Sequence, residues 1–415
     1  MRNYFTEQNN FFSGSKPSEL IREFGSPLYV YNEAILRDRS RDMAGLVSYP
    51  YFKSNYSAKA NSNLELLKII REEGLHADAM SPGEIHVLLA AGYKPEEILF
   101  VANNVSAEEM KYAIDKGVLI SCDSLSQLKQ YGNLNPGGKV AIRFNPGVGA
   151  GHHEKVITGG KNTKFGVNIE LINEVKAILK EYNLKLVGIN QHIGSLFMEA
   201  TPYLEGVKSL LGIAVHFKEL EFVDMGGGFG IPYHKQEGQE RLQLQETGRK
   251  LTEALSHWTT THDRKIKIKM EPGRYVVAEC CVLLGTVQAV KHNGSKTYVG
   301  TDIGFNVLAR PVMYDSHHDI ELYRNNELLK TDKGSIVTVV GNICETGDII
   351  AKDRELPPAK EGDIIGIMDA GAYGYSMASN YNNRLRPAEV LISIDGVPKL
   401  IRRRDSIKDL MRGFE

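Results

Sequence analysis

The residue pattern predicts an α/β protein in which a (β/α)8 barrel is followed by an all-β part. Three observations carry this. From about Tyr51 the chain repeats a short apolar strand, a polar turn, an amphipathic helix and a glycine, the alternation that builds a parallel sheet. Eight such strands follow one another, the number that closes a barrel. After about Ala278 the alternation gives way to strands joined by Asn-Gly and Asp-Gly, which is hairpin chemistry.

The barrel strands are expected at 51–58, 74–80, 98–102, 118–122, 139–144, 184–192, 221–225 and 266–270. Four early helices share a start signal, Ser62…Glu65, Ser81…Glu84, Ser106…Glu109 and Ser124…Gln127, each spaced as a capping box. Gly74, Gly92, Gly117 and Gly132 fall where left-handed residues end such helices. An open doubly wound sheet is the alternative, but no Gly-x-Gly-x-x-Gly follows the first strand. The units show no self-similarity, so the repeat is one of architecture.

In the C-terminal part, 282–291 and 296–300 flank Asn293-Gly294, and 390–394 and 399–402 flank Asp395-Gly396. Both read as hairpins, the first with a type I′ turn. Segments 335–340 and 363–368 add strands, and 24–31 has the composition to join them. The expected division is therefore a TIM barrel over 32–278 and a β-sandwich or β-barrel domain built from 1–31 plus 279–415.

Bulk composition narrows the function classes. The 415 residues carry 50 Lys+Arg against 51 Asp+Glu with no long run of one sign, so neither a nucleic acid nor a membrane surface is an expected partner. Arg402-Arg403-Arg404, with Asp405 and Asp409 close behind, reads as a solvated segment. Four cysteines without C-x-x-C or metal-ligand spacing fit a reducing compartment. The first residues lack a signal-peptide core and no apolar run is long enough to span a membrane. The expectation is a soluble, cytoplasmic, metal-free protein.

A barrel of this kind gathers its chemistry where each strand meets the following loop. Those positions hold Lys59, Asp78, Asn103, Asp123, Arg143, His192, Asp224 with Gly226-Gly227-Gly228, and Glu271 with Pro272-Gly273-Arg274. Taken singly, each has an ordinary reading. A strand-end lysine is usually a solvated cation, a glycine run a flexible turn, a strand-end histidine a satisfied structural residue, and a barrel-mouth glutamate the partner of an arginine. Together they describe sites for an aldehyde, a flat pyridine and a phosphate. Lys59 suits a Schiff base with the aldehyde, Glu271 the ring nitrogen and His192 the ring face. Ser195, Gly226, Gly227, Gly228 and the bend at Gly273 suit the phosphate, and Asp78 completes the cofactor-binding set. The cofactor so described is pyridoxal 5′-phosphate.

Six motifs then bring in a resemblance that runs nearly end to end. They are Tyr56-Ser57-Ala58-Lys59-Ala60-Asn61, His192-Ile193-Gly194-Ser195, Asp224-Met225-Gly226-Gly227-Gly228-Phe229-Gly230, Glu271-Pro272-Gly273-Arg274, Cys344-Glu345-Thr346-Gly347-Asp348 and Gly371-Ala372-Tyr373-Gly374. With these the chain resembles the fold type III pyridoxal-phosphate decarboxylases, whose fold is alanine-racemase-like. The resemblance implies Lys59 as the cofactor lysine and Tyr373 at the phosphate. It implies Arg274, Arg310 and Tyr314 at the distal carboxylate and amine of an amino-acid substrate. Cys344 and Glu345 are implied to enter the active site of a partner subunit, so the implied assembly is a homodimer with two shared sites. Ala58, Pro82 and the pair Cys280-Cys281 depart from the family's usual residues, and none removes a group the chemistry needs.

The implied reaction is loss of carbon dioxide from the substrate, with Cys344 as the best proton donor and Lys59 as the alternative. An ordinary thiol is largely protonated at neutral pH and can serve as an acid, although a cysteine is more often a small buried apolar residue. A second carboxylate on the substrate wants arginine's bidentate fork, supplied by Arg274 and Arg310, and Glu345 can take the distal ammonium. Related ornithine decarboxylases typically carry aspartate after that cysteine. The implied activity is decarboxylation of meso-2,6-diaminopimelate to L-lysine. Open alternatives are a decarboxylase of ornithine, lysine or a carrier-bound acyl group, a non-catalytic carrier of the cofactor, and a racemase. Residues 147–166, with Gly149, Gly151, Gly159, Gly160 and His152-His153, are expected to form a mobile loop over the site rather than bind a metal. His317-His318-Asp319 is expected in a loop.

Overall fold

The computed structural model describes residues 3–101, 103–147, 163–331 and 333–414. It divides into two compact units, one of Arg39–Ile231 with Arg241–Val276, the other of Met1–Asp38, Pro232–Glu240 and Val277–Glu415. The first strand, β1 (Leu28–Asn32), belongs to the second unit.

In the first unit eight parallel strands close on themselves: β2 (Phe52–Ser57), β3 (His76–Ala79), β4 (Ile98–Phe100), β5 (Leu119–Cys122), β6 (Lys139–Arg143), β7 (Lys185–Asn190), β8 (Phe222–Asp224) and β9 (Lys267–Met270). Closure is the pairing of Phe52 with Ile268 and of Ser54 with Met270. Strands covered by helices outside and side chains inside read as nearly unbroken buried runs, and β4 and β8 are buried at every residue. One part of the core joins Leu99, Val101, Ala141, Val187 and Phe222. Gly188 makes room there, since a Cβ on it would lie 2.0 Å from the Phe222 ring.

The helix signals divide. Ser81, Ser106 and Ser124 each accept from the amide three residues on, at 3.2 Å. Only Ser106 has the reciprocal bond, from its own amide to Glu109 at 2.9 Å. Glu84 instead accepts from the amide of Met80, at 2.7 Å. The helix Leu64–Glu72 is capped by Asn63 in place of Ser62, because the Asn63 side chain reaches the Glu65 amide at 3.0 Å. Pro82 stands in the first turn of its helix, where the missing amide is not needed. Gly74, Gly92 and Gly117 have φ of 87°, 92° and 73° as stop residues should. Gly132 differs: it lies inside the helix Leu125–Leu134, where a Cβ would meet the Tyr182 ring at 2.4 Å.

The second unit holds one ten-stranded mixed sheet. To β1 it adds β10 (Cys281–Asn293), β11 (Lys296–Thr301), β12 (Ile320–Arg324), β13 (Glu327–Leu328), β14 (Ser335–Val340), β15 (Ile349–Leu356), β16 (Ile364–Ile367), β17 (Ala388–Ile392) and β18 (Pro398–Arg402). The main path runs β13-β12-β16-β10-β1-β17-β18, and β11, β14 and β15 extend from β10. β1 lies between β10 and β17, antiparallel to the first and parallel to the second. Its five residues are all buried.

The turns correct two sequence readings. Asn293 pairs with Lys296, so the first hairpin turns on Gly294-Ser295. Positive φ falls on Gly294 alone, at 60°, which is the type II′ pattern rather than I′. In the second hairpin Ile392 pairs with Pro398, leaving 393–397 as a longer loop with Gly396 at φ 78°.

The expected barrel limits of 32–278 enclosed residues 232–240, whereas Pro232–Glu240 groups with the β-rich unit. Lys235 gives the reason. Its ammonium lies 2.6 Å from Asp369 Oδ2 and 3.2 Å from Glu279 Oε1, both carboxylates fully buried. A buried cation persists only beside its anions, and both anions belong to this unit. Among the described residues no helix is long and apolar enough to cross a membrane, and all four cysteines are free thiols.

Candidate active site at the barrel mouth

The sequence places polar residues at the carboxyl ends of the barrel strands, and closure brings them round one opening. Lys59 sits in the single turn Ala58–Ala60 that follows β2, itself partly buried between two buried alanines. Ser57, at the end of β2, donates from Oγ to Asp78 Oδ2 at 3.0 Å. Burial pushes the Asp78 carboxyl up to about 7, against the pull of Lys59. Glu271 immediately follows β9, the strand paired with β2, at 4% exposure. Burial, then repulsion from Asp224 and Asp78, holds its carboxyl well above the usual range although Lys59 and Arg143 oppose this.

His192 follows β7. Its Nδ1 accepts from the Gly227 amide at 3.3 Å, which puts the proton of the neutral ring on Nε2. Withdrawal from water, and then the cations Lys59 and Arg143, hold this imidazole well below the usual histidine range. A neutral flat ring is therefore what the mouth offers.

The glycine run has a structural reason as well as a chemical one. A Cβ on Gly226 would lie 2.2 Å from the Gln191 carbonyl oxygen, one on Gly227 1.8 Å from that of Glu271, and one on Gly228 2.5 Å from that of Gly194. The loops after β7, β8 and β9 thus interlock backbone to backbone. Glu271 donates its amide to Gly226 O at 3.0 Å, and Phe197 donates its amide to Gly228 O at 3.0 Å. Phe197, Tyr203 and Phe229 pack ring on ring beneath, 4.9 to 5.0 Å apart, and Tyr203 donates its hydroxyl to Gly226 O at 2.9 Å. Gly273 is buried just beyond, and Arg274 reaches back to Ser195 Oγ from NH2 at 3.0 Å.

The sequence reading left Arg143 and Asp123 without a role. Both are buried at the mouth, the Arg143 guanidinium over the Phe165 ring at 4.5 Å. Their signal was an arginine ending an otherwise apolar strand, Val140-Ala141-Ile142-Arg143. Several buried polar atoms of this unit lack a hydrogen-bond partner, Glu271 Oε1, Asp78 Oδ1 and Arg143 NH2 among them. Unpaired buried groups are costly, so the mouth suits a polar occupant. A pyridine ring with a protonated nitrogen fits Glu271, a phosphate fits backbone amides and Ser195, and an aldehyde fits Lys59.

The remaining expected residues lie in the second unit, in separate groups. Arg310 begins the helix Arg310–Tyr314 and is 1% exposed. Tyr314 ends that helix, which closes on Asp315 at φ 49°. Cys344 and Glu345 are exposed on a loop braced by Asp348, whose carboxylate accepts from the amides of Phe305 and Ile343 at 2.7 Å each. The Cys344 amide donates to Asn382 at 2.9 Å and Tyr381 donates to Glu345 at 2.6 Å. Tyr373 has φ 57° in a tight loop, where a Cβ on the preceding Gly371 would lie 1.8 Å from the Val277 carbonyl oxygen. His317-His318-Asp319 is a loop as expected. His234, Glu237 and His317 bring ligand-type atoms within 4.8 Å, but Arg354 donates to His317 Nδ1 at 3.0 Å while Nε2 faces Asp319 Oδ1 at 2.9 Å, so a cation already stands there. The core of the expected mobile loop, 148–162, lies outside the described residues.

Residues 36–278 match the family described as pyridoxal-dependent decarboxylase, pyridoxal binding domain. That is the class this barrel and its mouth define. Over 96% of its length the chain is 42% identical to the diaminopimelate decarboxylase of Methanothermobacter thermautotrophicus, of which it covers 94%. Identity to the Escherichia coli K12 enzyme of the same name is 35%, with 94% of each chain covered. A crystal structure of diaminopimelate decarboxylase from Helicobacter pylori complexed with L-lysine superposes with a TM-score of 0.87 at 31% identity, covering 96% of this chain and 98% of that one. The chain belongs to the diaminopimelate decarboxylase family.

Proposed function

We propose that this protein decarboxylates meso-2,6-diaminopimelate to L-lysine and carbon dioxide, with pyridoxal 5′-phosphate held at the barrel mouth. The observation that carries the reading is the buried Glu271 carboxyl, whose Oε1 has no hydrogen-bond partner, in the same opening as Lys59, in a chain of this family. When bound, the cofactor supplies an electron sink for the pair left behind as the carboxylate departs. Lys59 holds it by its amine, and Glu271 keeps the ring nitrogen protonated. The neutral ring of His192 would hold the flat ring of the cofactor by its face. Ser195, the amides of Gly226, Gly227, Gly228 and Gly273, and Tyr373 take the phosphate, and Asp78 orders the Lys59 side of the mouth through Ser57.

Substrate choice is made at the far end. Arg274, Arg310 and Tyr314 bind the carboxylate that is retained and Glu345 the ammonium beside it, so a plain diamine end is a poor fit. Cys344 Sγ returns a proton to the carbon that lost carbon dioxide. Its exposure on a braced loop supports delivery into a partner subunit's site, in a homodimer with two shared sites. Free thiols throughout support a reducing, cytoplasmic setting.

The test is carbon dioxide release by the cofactor-loaded protein offered meso-diaminopimelate, L-lysine and L-ornithine separately. Release from diaminopimelate alone, with lysine formed, is expected. Release only from another amine keeps the fold and cofactor and moves the substrate. Silence with all three, cofactor bound, overturns the activity.

A further inference from the structure

We propose that His318 is a positioning residue for Arg310, and that through it the protein selects substrates whose far end carries a carboxylate. The inference deepens the function proposed above and rests on it.

Arg310 is held from several sides within its own unit. Its guanidinium lies 4.6 Å over the Tyr233 ring, NH2 donates to Ser316 Oγ at 3.3 Å, and NH1 donates to His318 Nε2 at 2.7 Å. His318 is itself 2% exposed. Its Nδ1 lies 2.7 Å from the Met368 carbonyl oxygen, and the Tyr233 ring meets the imidazole nearly edge-on at 5.3 Å and 79°.

These contacts fix the state of the imidazole. A carbonyl oxygen only accepts, so Nδ1 carries the proton. A guanidinium only donates, so Nε2 is bare. Both bonds therefore exist together only in the neutral Nδ1–H tautomer. A second proton would set N–H against N–H and release Arg310. The chain of contacts runs from the Met368 backbone through a rigid ring to the arginine head, and Met368 immediately precedes the tight loop 369–374.

Neutrality is the functional point. A carboxylate in the place of His318 would hold the guanidinium equally well but would cancel charge wanted by the substrate. An imidazole fixes the direction of the fork and leaves its charge. Substrates and products with a carboxylate at that end depend on the fork direction, and molecules without one do not.

Two substitutions separate the bonds. His318→Asn keeps a donor near the Met368 carbonyl and is too short to accept from Arg310. His318→Gln places an oxygen near the Nε2 position, so it keeps the Arg310 bond and gives up the other. The readouts, on cofactor-loaded enzyme, are KM and kcat for meso-diaminopimelate and inhibition by L-lysine, which retains the distal carboxylate, and by 1,5-diaminopentane, which lacks it. For His318→Asn, KM and the L-lysine inhibition constant should rise about tenfold or more, with kcat within about threefold and diaminopentane unchanged. His318→Gln should recover most of the loss. Should the Asn variant show no cooperative melt, His318→Phe, which fills the ring volume without an acceptor, takes its place. Unchanged KM in a folded variant lacking the acceptor overturns the proposal, as does equal weakening of both inhibitors. A wild-type protein that releases no carbon dioxide from diaminopimelate overturns the function beneath it and is distinguishable by that result.

Discussion

At Glu271 function and stability pull in opposite directions. Burial, and then repulsion from Asp224 and Asp78, raises its carboxyl well above the usual range. A carboxyl raised in the folded state contributes stability in full below its unfolded value, about 4.3, and that contribution is lost as pH rises through the folded value. Before the cofactor binds, the barrel should therefore be less stable at pH 8 than at pH 5. Asp78 and Asp224, pushed up to about 7 and about 6, act with the same sign. Glu271→Gln removes one of these groups. The cofactor-free variant should melt higher than wild type at pH 8 while differing little at pH 5, and turnover should fall by about a hundredfold or more because the ring nitrogen loses its anionic partner. Melting curves at both pH values and kcat on loaded protein check this. A variant with the wild-type pH dependence and full turnover would remove Glu271 from both roles.

Helix starts show how far residue types foretell an element. Serine at Ser81, Ser106 and Ser124 caps as its spacing indicates, because the bond needs only local geometry. Ser62 lost the cap to Asn63, a choice between adjacent capping residues that local sequence leaves open. Gly74, Gly92 and Gly117 were readable as stops, but Gly132 answers to the Tyr182 ring, a neighbour remote in sequence. The glycine run after β8 combines both cases. Its placement at a strand end suggested an anion cradle, while the need for glycine comes from carbonyls of the adjoining loops. Gly227→Ala should therefore cost about 1–3 kcal/mol or more, since a Cβ 1.8 Å from the Glu271 carbonyl oxygen cannot be relieved by turning a side chain. Gly212→Ala, inside the helix Ala200–Ala214 with nothing within 4 Å of its Cβ, should instead stabilise by about 0.5–1 kcal/mol. Opposite shifts in melting temperature are the expected result, and similar shifts would mean that the loops part easily.

The architecture was readable to the degree that it repeats. Eight strand-helix units announce a barrel, and the polar residues ending its strands announce the mouth. The second unit was read less fully. β12, β13 and β15 escaped, and β15 did so because it has a charged middle, Lys352-Asp353-Arg354, at one end of its arm of the sheet. Pro232–Glu240 joined that unit through Lys235, a partnership with no signature in spacing. Cys344 and Glu345 were assigned by resemblance alone, and their exposure on a loop braced by Asp348 suits service to a neighbour. The shared-site homodimer makes a quantitative demand. Lys59→Ala and Cys344→Ala should each be nearly inactive as pure dimers. After random exchange half the dimers are mixed, and each mixed dimer has one site with both groups intact, so about a quarter of wild-type turnover should return. If each chain used its own thiol, a mixed dimer would hold only defective sites. Absence of rescue after subunit exchange, verified by mass, would place Cys344 in the service of its own barrel or outside the chemistry.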